Sequence, residues 1–500
     1  MTRLIRFNAF EMNCVAHQSP GLWTHPRDRS PDYKDLEYWT DLAKILERGI
    51  FDGIFIADVL GVYDVYHGST EHALREAAQV PVNDPLQVIP PMALVTKHLG
   101  FGLTTSISFE HPYPFARRIS TLDHLTKGRA GWNIVTSYLN SGALNLGQAA
   151  QIRHDDRYEI ADEYLDVLYK LWEGSWEDDA VVRDRATRRF TDPTKVHPIA
   201  HEGKHFQVPG IHLSEPSPQR SPVLYQAGAS SRGKRFAAEN AECIFVAAPS
   251  KTVLKKYVSD IRTQVAAAGR DPRKVFIYNL LTVIVGETDA DAQRKVDEYN
   301  AHASYDGALT LISGWSGVDF GPFKPEQPVQ YIQTDAVRSM LESFSTADPD
   351  KVWTVNEIAR WSSIGGLGPV IVGSPSTVAD VLQEWVEETD VDGFNLAYAV
   401  AHETFTDVVD LLVPELQRRG VYPTAYREGT LREKLFGDGP RLPDGHPGAR
   451  YRRRGASSDQ RDATHGAAGS SNAAAIHVNE ANALRIAGHS GSSRTDDQAA

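Results

Sequence analysis

Residues 226–233 (QAGASSRG) join an apolar run, SPVLY, to a segment with helical character. A helix that starts here offers free backbone N–H groups, and the hydroxyls of Ser230 and Ser231 and the cation Arg232 lie beside them. That combination is suited to binding a phosphate group. The alternative is that Ser230 only caps the helix, which is what Ser commonly does at such a junction. The residues alone leave both interpretations open.

Polar side chains also stand at the ends of other apolar segments. Asp58 follows FDGIFIA, Thr104 lies within GFGLTTS, and Ser137 ends AGWNIVTS. In an α/β barrel the active site is built at the carboxyl ends of the strands, so these side chains are candidates for it.

Two further pairs of residues are candidates for ligand binding or catalysis, and each pair also has an ordinary structural explanation. His154 and Tyr158 occur in HDDRY at the start of a predicted helix, where they bind a ligand or belong to a capped, salt-bridged first turn. Cys14 lies three residues before His17, an arrangement compatible with a nucleophilic Cys/His pair or with a small buried thiol.

Three histidines, His197, His201 and His205, recur at four-residue spacing and resemble a set of metal ligands. Pro198 and Gly203 interrupt any helix there, so the three side chains would not share a face. We therefore predict a solvated loop and no metal site.

Short apolar runs alternate with helical patterns along most of the chain, and the runs are continuously apolar. This pattern is typical of a parallel sheet covered by helices. About eight such units favour an α/β fold of the (β/α)8 TIM-barrel type with insertions. An open dinucleotide-binding sheet is disfavoured because no G-x-G-x-x-G follows the first strand. The predicted strands include FDGIFIAD, GFGLTTSIS, AGWNIVTS, SPVLYQAG, CIFVAA, KVFIYNLLTVIVG and DGFNLAY.

Two stretches interrupt the alternation and are predicted to be irregular inserts that act as lids or binding loops, near residues 176–221 and 301–365. Residues 455–500 contain no Phe, Trp or Tyr and are rich in Ala, Gly and Ser, so we predict a disordered tail. The predicted folded domain is residues 1–454.

Composition excludes several classes of protein. The 500 residues carry a net charge of −13, which argues against nucleic acid as the main partner. Only two cysteines occur, which favours a reducing, cytoplasmic location over a disulfide-stapled secreted protein. No apolar run is long enough to span a membrane, and no signal-peptide pattern opens the sequence.

Three segments together resemble the flavin-dependent monooxygenases of the bacterial luciferase-like superfamily. They are HPYPFARRISTLDHLTKGRAGWNIVTSYLNSGALNLG, HDDRYEIADEYLDVLYKLWEGSWEDDAV and EPSPQRSPVLYQAGASSRGKRFAA. The resemblance covers nearly all of residues 5–453 and is strongest to the nitrilotriacetate and dibenzothiophene sulfone monooxygenase branch. Within this branch, SYLNSGALN and DGFNLAYAV are most similar to enzymes acting on dimethyl sulfide, and other segments also to those acting on long-chain alkanes.

This resemblance implies an oxygenase that uses O2 and reduced FMN (FMNH2), with a separate NAD(P)H-dependent flavin reductase as partner. By position, the implied FMN-binding residues are Asp58, Thr104, Ser137, His154, Tyr158, Gly228 and Ser230. The residues implied to lie near the flavin ring and substrate are Cys14, His17, Tyr63 and Gln79. A homodimer or homotetramer is also expected.

The expected reaction inserts one oxygen atom into a small or apolar organic substrate, best an organosulfur compound such as dimethyl sulfide. Alternatives are a long-chain alkane or a sulfone, although Leu311 stands where the alkane enzyme has a His, which weighs against alkane hydroxylation. Two other classes stay open: a deazaflavin-dependent reductase and a non-catalytic flavin-binding protein.

Overall fold

The structure is a computed structural model that describes residues 3–227, 230–330, 336, 338–345 and 351–453. The predicted cofactor residue Gly228 and the predicted tail, residues 455–500, lie outside the described residues. The strands are β1 Arg6–Met12, β2 Gly53–Ala57, β3 Gly100–Ser106, β4 Ala130–Val135, β5 Val181–Asp184, β6 Arg189–Thr191, β7 His201–Glu202, β8 Gln207–Val208, β9 Val223–Gln226, β10 Cys243–Val246, β11 Phe276–Val285, β12 Val370–Gly373 and β13 Gly393–Ala397. The helices are α1 Leu36–Arg48, α2 Glu71–Arg75, α3 Ile89–Val95, α4 Pro112–Leu125, α5 Asn140–Asn145, α6 His154–Tyr169, α7 Ser231–Asn240, α8 Lys251–Ala267, α9 Asp289–Asn300, α10 Tyr305–Ser316, α11 Arg338–Ser343, α12 Val355–Ser362, α13 Pro375–Thr389, α14 Glu403–Asp407, α15 Val413–Arg418 and α16 Leu431–Phe436.

Eight of the strands form a closed parallel barrel, in the order β1, β2, β3, β4, β9, β10, β11 and β13. The ring closes because β13 pairs with β1, with Gly393 opposite Arg6. On the other side β10 pairs with β11, with Cys243 opposite Phe276. The predicted TIM barrel with extra elements is therefore confirmed, and the carboxyl ends of its strands share one rim.

The strand β11 is longer than its neighbours and also pairs with an extra strand outside the barrel. Its first part pairs with β10 and β13 inside the barrel, and residues 282–285 pair with the extra strand β12. Nine of its ten residues are buried. A continuously apolar sequence is what two covered faces require, which is why KVFIYNLLTVIVG contains no alternation.

The helices that surround the barrel are amphipathic, and α1 is representative. Its residues Trp39, Leu42 and Leu46 are completely buried at helical spacing against the sheet. Gly49 follows the helix at its carboxyl end, as the sequence predicts.

The prediction that residues 301–365 are irregular is wrong at 305–316, 338–343 and 355–362, which are helices. The insert contains α10, which begins after Ser304, whose side chain accepts from the backbone N–H of Gly307, and ends at Gly317 in the left-handed conformation. Every residue from 307 to 316 is buried, so the helix has no polar face and shows no amphipathic period. Residues 338–343 and 355–362 form two further helices in this insert, α11 and α12.

The other insert contains two short antiparallel hairpins, β5 with β6 and β7 with β8. The second hairpin includes part of HFQVPGIHL, the segment whose sequence had β character.

Candidate functional site

The carboxyl ends of the barrel strands surround a cavity of about 330 Å3. Its wall includes five residues that the sequence singled out, each at a strand end or in the first turn of a helix: Asp58, Ser137, His154, Tyr158 and Ser230. The insert at 301–365 contributes Trp315, Ser343 and Phe344 to the wall, whereas none of the lining residues comes from 176–221.

One end of the cavity is formed by the first turns of α6 and α7. Ser230 caps α7, because its Oγ accepts a hydrogen bond from the backbone N–H of Gly233 at 3.0 Å. A Cβ at position 233 would lie only 2.7 Å from the hydroxyl of Tyr158. Glycine at 233 thus allows the two helices to bring Ser230 and Tyr158 together at this end.

The side chains of His154 and Arg157 lie at the same end. His154 is 6 % exposed and its Nδ1 lies 2.7 Å from Oδ1 of Asp155. Arg157 is 2 % exposed, lines the cavity and donates to the carbonyl of Ile152 at 2.5 Å. Together with the positive helix ends of α6 and α7, this end is suited to an anionic group.

Sequence reasoning missed Arg157, although a signal was present. In HDDRY the residues His154, Arg157 and Tyr158 are spaced i, i+3 and i+4, which places them on one helical face. All three line the cavity.

Two of the other residues proposed from the sequence have different surroundings. Arg232 forms an ion pair with Asp162 on α6, and its guanidinium lies 5.4 Å above the ring of Tyr158, so it supports the wall from outside. Thr104 is buried inside the barrel, where its hydroxyl accepts from Nδ2 of Asn133 at 3.1 Å.

Asp58 lies at the carboxyl end of β2 and lines the cavity. Burial, and next the charge of Asp84, raise the pKa of its carboxyl from 3.8 to about 7, which outweighs the hydrogen bond from the backbone of Val59. Near neutral pH this carboxyl can therefore hold or release a proton at the cavity wall.

The pKa of Asp58 predicts a pH-dependent stability. The unfolded carboxyl ionises near 3.8, whereas the folded one stays neutral until about pH 7, so its stabilising contribution is lost as the pH rises through this window. Asp58→Asn stays neutral throughout. We expect the melting temperature of the variant, relative to the unsubstituted protein, to rise from pH 5 towards pH 7 and then to level off.

Asp84→Asn provides the matched control, since it removes the second cause of the shift but keeps an oxygen that can accept from the backbone N–H of Leu86. In that background the Asp58→Asn difference should level off at a lower pH. A difference that is the same at pH 5 and pH 8 would contradict the assignment.

Cys14 and His17 lie behind the cavity wall. Both side chains are 1 % exposed, and neither lines the cavity. Burial raises the pKa of the Cys14 thiol well above its usual range, so the thiolate form is disfavoured. Burial likewise lowers the pKa of His17 to about 3, and its ring packs edge-on against Phe10 at 4.4 Å. These surroundings favour the buried-thiol interpretation over a nucleophilic pair.

Tyr63 and Gln79 also lie behind the wall. They are 1 % and 3 % exposed, and Tyr63 is hydrogen-bonded to Tyr138 and Trp315, which do line the cavity. The structure thus places the four residues expected near the flavin ring and substrate behind the cavity wall.

The apolar part of the wall is a stack of aromatic rings that sequence reasoning missed. The rings of Phe10 and Phe55 are 5.2 Å apart with an interplanar angle of 8°, and those of Phe55 and Phe245 are 4.6 Å apart at 10°. The three residues come from β1, β2 and β10, so only the closed barrel brings them together. The stack provides an apolar aromatic part of the wall beside the polar end.

Three amides complete the wall, Gln18, Gln226 and Asn395. The carbonyl oxygens of Gln18 and Gln226 are buried and have no hydrogen-bond donor within the described part of the chain. A buried oxygen of this kind is costly unless a ligand or water supplies a donor. The cavity therefore combines an end suited to an anion, an aromatic wall and acceptors for N–H groups, which fits a flavin nucleotide such as FMN.

The described ranges contain no group of three His, Cys, Asp or Glu side chains placed to hold a metal ion. His201 instead contacts Lys170 and Glu163. In the same ranges, every helix is too short or too polar to cross a membrane.

Comparison with known proteins identifies relatives along most of the chain. Residues 10–393 match the family model described as luciferase-like monooxygenase. The chain is 55% identical to dimethyl-sulfide monooxygenase of Hyphomicrobium sulfonivorans, over 90% of this chain and 94% of the relative. It is 50% identical to long-chain alkane monooxygenase of Geobacillus thermodenitrificans (strain NG80-2), over 90% of this chain and 99% of the relative.

Solved structures agree with these matches. The crystal structure of DmoA from Hyphomicrobium sulfonivorans superposes with a TM-score of 0.84, at 55% identity, covering 90% of this chain and 96% of that one. The crystal structure of riboflavin lyase, described as containing modified FMN and riboflavin, gives a TM-score of 0.85 at 34% identity, covering 90% of this chain and 100% of that one.

Proposed function

The chain belongs to the luciferase-like monooxygenase family and is a flavin-dependent monooxygenase, and from that premise we propose that it is the oxygenase component of a two-component system. In this proposal a separate NAD(P)H-dependent flavin reductase supplies reduced FMN. Bound reduced FMN supplies the electrons that activate O2, so that one oxygen atom enters the substrate and the other leaves as water.

The observation that carries the proposal is the arrangement of the cavity wall, with a polar helix end at one place and an aromatic stack beside it. The phosphate of FMN would bind at the helix end capped by Ser230, with Arg157 as its buried counter-charge and the hydroxyl of Tyr158 beside it. The aromatic stack that starts at Phe10 would face the flat ring system. The buried acceptor oxygen of Gln18, which also lines the cavity, would receive a ring N–H.

We propose that the substrate is a small, apolar organosulfur compound, with dimethyl sulfide as the best candidate. Support comes from the similarity to dimethyl-sulfide monooxygenase and from an apolar wall of Phe, Leu and Trp side chains. A thioether packs well against aromatic rings and needs no hydrogen-bonding partner. Leu311 is completely buried in the cluster that includes Tyr63 and Trp315, so the side chain there adds no polar group.

The walls of the cavity also determine how water is excluded. Trp315 on α10 and Phe344 after α11 line it, and both belong to the insert at 301–365. Excluding water from an oxygen-activating site prevents reducing equivalents from being lost as hydrogen peroxide. We therefore assign a covering role to this insert.

A product-detected panel tests the proposed function. The purified chain is incubated with FMN, NADH and a flavin reductase, separately with dimethyl sulfide, a long-chain alkane, a sulfone and an aminopolycarboxylate. We expect oxygen uptake coupled to consumption of dimethyl sulfide. Turnover of the alkane or sulfone alone would reassign the substrate.

Other outcomes would overturn the class of reaction. Turnover of a reduced deazaflavin without oxygen uptake would indicate a reductase. Tight binding of oxidised FMN with no product from any member of the panel would indicate a flavin-binding protein.

A further inference from the structure

A chain of hydrogen bonds runs from the cavity wall into the protein, and its order can be read from the groups that take part. Nε1 of Trp315 donates to the hydroxyl of Tyr63 at 3.1 Å. The hydroxyl of Tyr63 lies 2.8 Å from Oε1 of Gln79 and 2.7 Å from the hydroxyl of Tyr138. Nε2 of Gln79 donates to the backbone carbonyl of His17 at 2.8 Å.

The ends of this chain fix the direction of each bond. An indole N–H can only donate and a backbone carbonyl can only accept, so Trp315 donates to Tyr63 and Gln79 donates its amide to His17. The carbonyl of Gln79 therefore faces Tyr63 as an acceptor and takes the single hydroxyl proton of Tyr63. Because the proton of Tyr63 is already used, Tyr138 must donate its own proton to the oxygen of Tyr63.

This order leaves the oxygen of Tyr138 with its proton directed into the protein. Tyr138 lines the cavity, and because its proton is given to Tyr63, its hydroxyl oxygen can act towards a molecule there only as an acceptor. The reverse order would leave the carbonyl of Gln79, which is 3 % exposed, without a donor. The buried amide of Gln79 thereby determines whether the hydroxyl of Tyr138 donates or accepts at the cavity, although the two groups are not in contact.

We infer that Tyr138 is a positioning residue that accepts a hydrogen bond from the reduced flavin and so favours it over the oxidised flavin. The inference rests on the proposed function. Reduced isoalloxazine carries an N–H at N5, whereas oxidised isoalloxazine presents a lone pair there. An acceptor in the wall matches the first and repels the second, while dimethyl sulfide offers no donor at all.

The test compares affinities in the absence of oxygen, so it does not depend on turnover. Reduced and oxidised FMN are titrated separately into the unsubstituted protein and into Tyr138→Phe and Gln79→Met. For Tyr138→Phe we expect the preference for reduced FMN to fall about tenfold, the effect of one hydrogen bond in a dry site. For Gln79→Met we expect at least the same loss, since the proton of Tyr63 then goes to Tyr138 and the proton of Tyr138 turns to the cavity.

A second probe identifies the ring position. Reduced 5-deaza-FMN has a carbon in place of N5 and lacks that N–H. The unsubstituted protein should bind it more weakly than reduced FMN, and Tyr138→Phe should bind the two equally.

Tyr257→Phe is the matched control. Tyr257 also lines the cavity, but its hydroxyl lies 2.9 Å from Oγ of Ser343 and belongs to a different hydrogen bond. This variant should keep the preference for reduced FMN. An unchanged preference in both Tyr138→Phe and Gln79→Met overturns the inference, even when the unsubstituted protein oxygenates its substrate. Failure of the proposed function is distinguishable, because the unsubstituted protein would then form no product.

Discussion

Replacing Ser230 with Asp is expected to weaken FMN binding by roughly a hundredfold or more, because a carboxylate would then lie against the phosphate. The substitution isolates this effect. Asp is as good an N-cap as Ser, so its oxygen can still accept from the backbone N–H of Gly233 and α7 should keep its stability. What changes is one negative charge at the wall of the cavity.

The measurement is a titration of reduced and oxidised FMN, with the melting temperature recorded as a check on folding. Ser230→Asn keeps the cap without the charge and should bind FMN within a few-fold of the unsubstituted protein. Ser231→Asp places the same charge one residue further on, at an exposed position that does not line the cavity, and should have a small effect. Equal FMN affinities of Ser230→Asp and Ser230→Asn would show that the phosphate does not bind at this helix end.

Much of the cavity could be predicted from the sequence because it depends on local pattern. Continuous apolar runs alternating with helices predict a parallel barrel, and a barrel places the ends of its strands at one rim. Asp58, Ser137 and Ser230 each follow such a run, and all three line the cavity. No distance between distant segments had to be known for this step.

The rest depends on which distant segments meet, which the sequence does not state. Phe10, Phe55 and Phe245 read as ordinary core residues until the barrel stacks their rings. The helix α10 was missed because burial on every side removes the periodic pattern by which helices are recognised. Cys14 stands close to His17 in the sequence, yet both lie behind the wall, because their orientation is set by packing.

Replacing Arg432 with Met is expected to destabilise the protein by about 3–5 kcal/mol at neutral pH, the usual cost of breaking a buried ion pair from one side. Arg432 is 1 % exposed and holds Glu242 with two bonds, from Nε at 2.7 Å and from Nη2 at 2.8 Å. It also donates to the backbone carbonyls of Ser221, Pro222 and Pro440. The substitution leaves the carboxylate of Glu242, which is 2 % exposed, without its counter-charge.

The pH dependence of the stability of Arg432→Met distinguishes the loss of the counter-charge of Glu242 from a loss of packing. Burial is the largest influence on the pKa of Glu242 and raises it, but the charge and hydrogen bonds of Arg432, together with smaller contributions such as the backbone N–H of Leu224, hold the pKa below its usual value. Without Arg432 the pKa rises, so the deficit of the variant should shrink as the pH falls and Glu242 becomes protonated. Denaturation by urea at pH 5 and pH 8 measures the difference.

The double variant Arg432→Met with Glu242→Gln decides between the two explanations, because it removes the stranded charge and keeps an oxygen for the backbone N–H of Leu224. It should recover a large part of the lost stability, whereas equal instability of the single and double variants would assign the loss to the three carbonyls instead. Glu242 and Ser221 precede β10 and β9, so the pair lies at the amino ends of the strands, opposite the cavity. Because residues at that end of a barrel serve stability rather than chemistry, the folded fraction of either variant should bind FMN as the unsubstituted protein does.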